Sequence, residues 1–220
     1  MGKEYIVQQG DYLSKIAQQF GFSDYKEIWN HADNAALKNK RKNPNVLHPG
    51  DKLIIPDKEE KQVSASTDKR HKFEVNRSPL KLRLVLEDIY EKPIANAEVE
   101  LILDGETFNL TTDGKGKIEK EIAPNAEGGF LIIKSQETAL NETTLPIRIG
   151  HLDPVEEESG QRGRLNNLGY FAGPFEGHSE EDNRQVFLSA MEEFQCDHGL
   201  TVDGICGPQT QAKLKDVHGC

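Results

Sequence analysis

Two short motifs, well separated along the chain, set the tightest limits on how it folds. The first is Tyr5-x-Val7-x-x-Gly10-Asp11-x-Leu13-x-x-Ile16-Ala17; the second is Pro49-Gly50-x-x-Leu53-x-Ile55-Pro56. Alternation at Tyr5 and Val7 predicts a strand that ends at the turn-forming pair Gly10-Asp11. Leu13, Ile16, Ala17 and Phe20 recur at helical spacing, so a helix follows, with Asp11 expected as its N-cap and Gly21 as its stop. Ile28 and Trp29 anchor a second helix near residues 25–31. Leu53, Ile54 and Ile55 form a closing strand, set off by Pro49-Gly50 and ended by Pro56. The predicted unit is strand–helix–helix–strand, too small to enclose a catalytic cleft of its own.

Those two motifs, in that order around two helical segments, resemble a LysM domain. The resemblance implies binding of glycan containing N-acetylglucosamine, most often peptidoglycan, with Gly10, Asp11, Tyr12, Leu13 and Asn30 as the glycan-binding residues. Their chemistry fits: a glycine admits close approach of the backbone, Asp11 and Tyr12 offer polar contacts, and Leu13 offers an apolar wall to a sugar ring. The same residues also serve a turn, a cap and a core. An unusually long connection, DNAALKNKRKNPNVLHPGD over residues 33–51, separates the second helix from the closing strand. Ala35, Ala36 and Leu37 predict an extra helical turn or two there, able to extend the groove, cover it, or dock another protein.

The sequence of 220 residues is 35% hydrophobic, which suits several small modules better than one large core. Residues 58–72 (KEEKQVSASTDKRHK) are a linker by composition. From Phe73 the period becomes two: Leu80, Leu82, Leu84 and Leu86 alternate, then Val99, Leu101 and Leu103, then Phe130 and Ile132, and finally Leu145–Ile149. Turn chemistry at Glu91-Lys92-Pro93, Asp104-Gly105 and Asp113–Gly116 separates them, predicting an antiparallel β-sandwich over 73–150. The pattern Pro93-Ile94-Ala95-Asn96-Ala97-x-Val99-x-Leu101 with Thr112-Asp113-x-x-Gly116 resembles prealbumin-like or carboxypeptidase-regulatory-like spacer domains. The acids Glu87, Asp88, Asp104 and Asp113 read first as turn residues and only second as calcium ligands.

The last third, 151–220, reads as helical. Leu165 and Leu168 precede Gly169-Tyr170. A second helix near 181–198 gathers Val186, Phe187, Ala190, Met191 and Phe194 on one face. A third begins at Pro208, the favoured first helical residue. Leu168-Gly169-Tyr170, Phe194-Gln195, Gly199-Leu200, Asp203-Gly204-x-x-Gly207-x-x-Thr210 and Leu214 together resemble the three-helix peptidoglycan-binding domain of type 1. That resemblance implies contact with stem peptide through Tyr170, Asp203, Gly204 and Thr210. The predicted fold class is therefore multidomain α+β: a LysM βααβ module at 1–57, a linker at 58–72, the sandwich, and the three-helix module.

Charge and chemistry exclude much else. The net charge of −10 is concentrated in residues 150–220, whose 5 basic and 13 acidic residues leave −8, while residues 1–57 stand at +1. Such a surface repels nucleic acid. No apolar run approaches the roughly 20 residues of a membrane helix. The start MGKEYIVQQGD enters the first strand without the apolar stretch of a secretory signal, so manufacture in the cytoplasm and a specialised route to the wall are expected. The seven histidines are scattered, and no H-E-x-x-H motif occurs. Paired carboxylates in a cleft are not discernible, so no enzyme, metal or cofactor is expected. Cys196, Cys206 and Cys220 leave free thiols, a 196–206 or 206–220 disulfide, or zinc as alternatives, with no pair at typical zinc-ligand spacing. The expected function is non-catalytic, bivalent binding of peptidoglycan. The alternatives are an adaptor of a contractile, type VI-like injection machine, partnered by a spike, effector or baseplate protein, and a targeting subunit for a separate cell-wall hydrolase.

Overall fold

The computed structural model describes residues 2–58, 64–72, 79–88, 90, 92–134 and 142–220. Part of the 58–72 linker, the start of the sandwich at Phe73 and Glu91 of one turn lie outside the described residues. Three separate hydrophobic clusters give each module its own core, as small modules joined in series require.

In the first module, β1 (Lys3–Ile6) pairs antiparallel with β2 (Lys52–Ile55), Tyr5 opposite Leu53. Between them lie α1 (Leu13–Gln19), α2 (Lys26–Trp29), a 3-10 turn (Ala32–Asn34) and α3 (Ala35–Arg41). Leu13, Ile16 and Ala17 bury one face of α1 against Ile28, Trp29, Leu53 and Ile55. Asp11 does not cap α1, contrary to the expectation from sequence. Tyr12 occupies the cap position without a side-chain cap bond. The Asp11 carboxylate instead accepts from the Tyr5 hydroxyl at 2.7 Å and the Gln8 amide at 2.9 Å, fastening the turn back onto β1. Burial and this carboxylate push the Tyr5 hydroxyl up to about 12.

The long connection is the α3 turn predicted from Ala35–Leu37, and two buried polar groups hold it. Asn34 donates to the carbonyls of Ile28 (2.8 Å) and Ile54 (2.7 Å) and accepts from the Ile54 amide (2.7 Å), tying the end of α2 to β2. Arg41, at the end of α3, forms a two-pronged pair with Asp51 at 2.7 and 2.9 Å. Burial pushes the Asp51 carboxyl up, but the Arg41 guanidinium and the His48 amide outweigh it and hold the carboxyl below its usual range.

The second module packs a two-stranded sheet, β3 (Leu80–Val85) with β6 (Lys117–Ile122), and a four-stranded sheet in the order β5 (Glu106–Thr111), β4 (Glu98–Leu103), β7 (Gly128–Lys134), β8 (Thr143–Arg148). Every pairing is antiparallel. Val99, Leu101 and Leu103 of β4 face Leu131 and Ile133 of β7 in the core, with Leu86 and Ile118 closing it. Three of the four acids weighed as turn residues bind backbone amides, while Glu87 lies in an isolated bridge with Pro93. Asp88 accepts from the amides of Tyr90 and Lys92, Asp113 from those of Lys115 and Lys117, and Asp104 from that of Glu127.

The third module consists of α4 (Glu158–Asn167), α5 (Glu180–Asp197) and α6 (Pro208–His218). A reciprocal Ser179–Asp182 capping box starts α5, and Pro208 is the first residue of α6. Leu165, Phe187, Ala190, Met191, Phe194 and Leu214 meet in its core. Arg164 is fully buried among them and donates to the carbonyls of Cys220, Asp153 and Gly160.

Candidate functional site

Three of the four residues predicted for stem-peptide contact converge on one side chain, Gln195. It sits on α5 four residues after Met191, at the rim of the apolar face, and only 1% of it is exposed. Its amide oxygen accepts from the backbone amides of Asp203 (3.0 Å) and Gly204 (2.9 Å). Its amide nitrogen donates to the Asp203 carboxylate (2.9 Å), the Ile205 carbonyl (3.0 Å) and the Thr210 hydroxyl (3.3 Å). Asp203 also accepts from the Ile205 amide, and these two bonds hold its carboxyl below the usual range. Gly204 supplies the left-handed backbone the turn needs, at φ +67° against Leu188. The result is a stiff loop with Val202 and Ile205 presented outward.

Three of the four predicted residues, Asp203, Gly204 and Thr210, are thus assembled, with Thr210 buried as a structural partner. Tyr170 stands outside this network. Its ring meets Phe194 edge-on at 5.5 Å and its hydroxyl donates to Asp197 at 3.2 Å. Nearby in sequence, Phe171 projects with 73% of its surface exposed. Gln195 was not among the predicted site residues. A polar residue in register with Met191 on an apolar helix face was the signal that it had a buried task.

The glycan set is placed differently. Leu13 lies wholly in the module core. Tyr12 is 2% exposed, and its hydroxyl donates to the Ala126 carbonyl of the sandwich at 2.8 Å. Burial, with the Asp104 and Glu127 carboxylates, pushes that hydroxyl well above the usual tyrosine range. Gly10 is buried against the His151 ring, while Asp11 is tied to Tyr5. Asn30 is exposed and accepts from Lys38 at 2.7 Å.

Cys196, Cys206 and Cys220 are all free. Burial pushes the Cys206 thiol up to about 11, away from a reactive thiolate. His218 lies 3.2 Å from the Cys220 sulfur and 3.0 Å from the Asn167 amide; burial and then Arg164 bring it down to about 4. Among the described residues, no group of three or more His, Cys, Asp or Glu is placed to hold a metal, and no helix is long and apolar enough to cross a membrane.

Against known families, residues 5–56 match the LysM domain and residues 162–214 match the family described as "Putative peptidoglycan binding domain". The two matches fall on the first and third modules. A LysM domain and a helical peptidoglycan-binding domain are therefore present in one chain, and both support peptidoglycan binding. No curated protein and no solved structure matches the chain.

Proposed function

We propose that this protein binds peptidoglycan without cleaving it, through two of its three modules: glycan through the LysM module and stem peptide through the helical module. One observation carries the proposal: two unrelated wall-binding families match opposite ends of one chain, each on a module with its own core. Two weak sites on one scaffold raise avidity by about 10²–10⁴ when both reach the same polymer. The stiff Asp203–Gly204 loop, flanked by exposed Val202 and Ile205, is the surface offered to stem peptide. Incubation with insoluble sacculi tests both halves: the protein should pellet with them, and no soluble muropeptide should appear in the supernatant. Absence from the pellet, or release of soluble fragments, refutes the proposal.

A second reading is an adaptor in a contractile injection machine, docking a spike, effector or baseplate protein. It is favoured by α3, which carries exposed Lys38 and Lys40 and is followed by exposed Lys42, on a helix the LysM fold does not need for its core beyond Leu37. Co-purification of a single acidic partner, lost with all three lysines changed to glutamate, tests it.

A further inference from the structure

We propose that the Gly10–Tyr12 loop and the start of α1 in the LysM module are masked by the rest of the chain, so that the closed protein holds peptidoglycan by its helical module and reads glycan only once this seam opens. The proposal rests on the peptidoglycan reading above and adds a regulation to one of its sites.

Two segments from outside the module cover the loop. Ala126 and Glu127, between β6 and β7, take the Tyr12 hydroxyl at 2.8 Å and the Lys15 ammonium at 3.0 Å. Gly150 and His151, just after β8, lie on the other flank. A Cβ on Gly10 would stand 3.2 Å from His151 Nε2. A Cβ on Gly150 would stand 2.5 Å from Tyr12 Cδ1 and 2.7 Å from the Gly10 carbonyl oxygen. Gly150, at φ +78°, thus lets its backbone approach the Gly10 carbonyl where any side chain would wedge the two apart, while Gly10 lies against the His151 ring. Asp104 braces the covering loop by accepting from the Glu127 amide. Alongside, a polar cleft of about 210 Å³ separates Ser14, Tyr25 and Asn45 from Leu80, Lys81 and Arg83 of the sandwich.

Three of the five groups that would greet a sugar are therefore already engaged. Gly10 has no free face, the Tyr12 hydroxyl has an acceptor, and Leu13 is core. Among the described residues, the polar holds on the seam are a neutral hydrogen bond and an exposed ion pair, which a stronger contact can displace.

The test uses the full-length chain and two variants that leave the LysM sequence intact. Gly150→Val wedges the seam; Glu127→Lys turns the Lys15 attraction into repulsion without disturbing a core. Zero-length carbodiimide coupling of Lys15 to Glu127, read by peptide mass spectrometry, reports closure, and calorimetry with an N-acetylglucosamine hexamer reports the loop. The expected results are a 15–127 cross-link and negligible hexamer binding in the wild type. Gly150→Val should lose the cross-link, and both variants should bind hexamer at least tenfold more tightly than the wild type. Equal hexamer binding by the wild type and both variants overturns masking. So does a wild type that gives no cross-link, or hexamer binding that stays negligible in both variants. Failure of the peptidoglycan reading itself looks different: no form, wild type included, pellets with sacculi.

Discussion

Replacing Asn34 by alanine removes three hydrogen bonds from a site that water does not reach. The side chain is 1% exposed, and its three partners are backbone groups of Ile28 and Ile54. At about 1 kcal/mol per buried bond, the loss is about 3 kcal/mol. That is a large share of what so small a module can hold in reserve. The chain has one tryptophan, Trp29, buried in the same core, so its fluorescence reports this module and no other. With a urea slope near 1 kcal/mol per molar, the Trp29 transition should fall by about 3 M. Asn34→Asp should fall at least as far, because a carboxylate then faces the two carbonyls. A Trp29 midpoint that moves by less than about 0.5 M in both variants would show that Asn34 does not tie α2 to β2 and refute this account of the long connection.

Three further outcomes follow from the same contacts. Gln195→Leu frees the amides of Asp203 and Gly204 and should destabilise the helical module by about 2–4 kcal/mol, seen by far-ultraviolet circular dichroism, while weakening sacculus binding and leaving the Trp29 transition in place. Arg41→Met leaves the buried Asp51 carboxylate with only the His48 amide and the exposed Lys40 ammonium at 3.5 Å, and should cost about 2–3 kcal/mol at neutral pH. Because Asp51 is held below its ordinary value in the fold, the stability it contributes is present above that value and lost as pH falls through the folded one, so wild type and variant should converge in acid. His218 sits at about 4 in the fold against 6.5 when unfolded, so the unfolded chain takes up the proton first, and the helical module should lose stability as pH drops from about 6.5 toward 4. His218→Gln should flatten that slope in pH-dependent thermal melts.

Local patterns and distant contacts were not equally legible in the sequence. The spacing of Leu13, Ile16 and Ala17 and the pair Pro49-Gly50 specify α1 and β2 because their physics is local. Leu80–Leu86 and Val99–Leu103 mark β3 and β4 by strict alternation. β5 and β6 escaped notice: ETFNLT and KIEKEI carry only two apolar residues each, and they become strands by pairing with β4 and β3. Asp11 looked like a cap because caps are judged from neighbours in sequence, whereas the Tyr5 hydroxyl that claims it is a tertiary neighbour. Asn34 was hidden for a similar reason, since its partners lie 6 and 20 residues away. The seam was wholly beyond sequence reading, because nothing near Tyr12 announces an acceptor 114 residues distant.

The most direct test of the central claim is a saturation isotherm of the intact protein on purified sacculi at physiological salt. Wall binding by two modules predicts saturable retention in the pellet, lowered by Gln195→Leu and raised by Gly150→Val as the second site comes into use. Retention no greater than that of an unrelated acidic protein of the same size would contradict it.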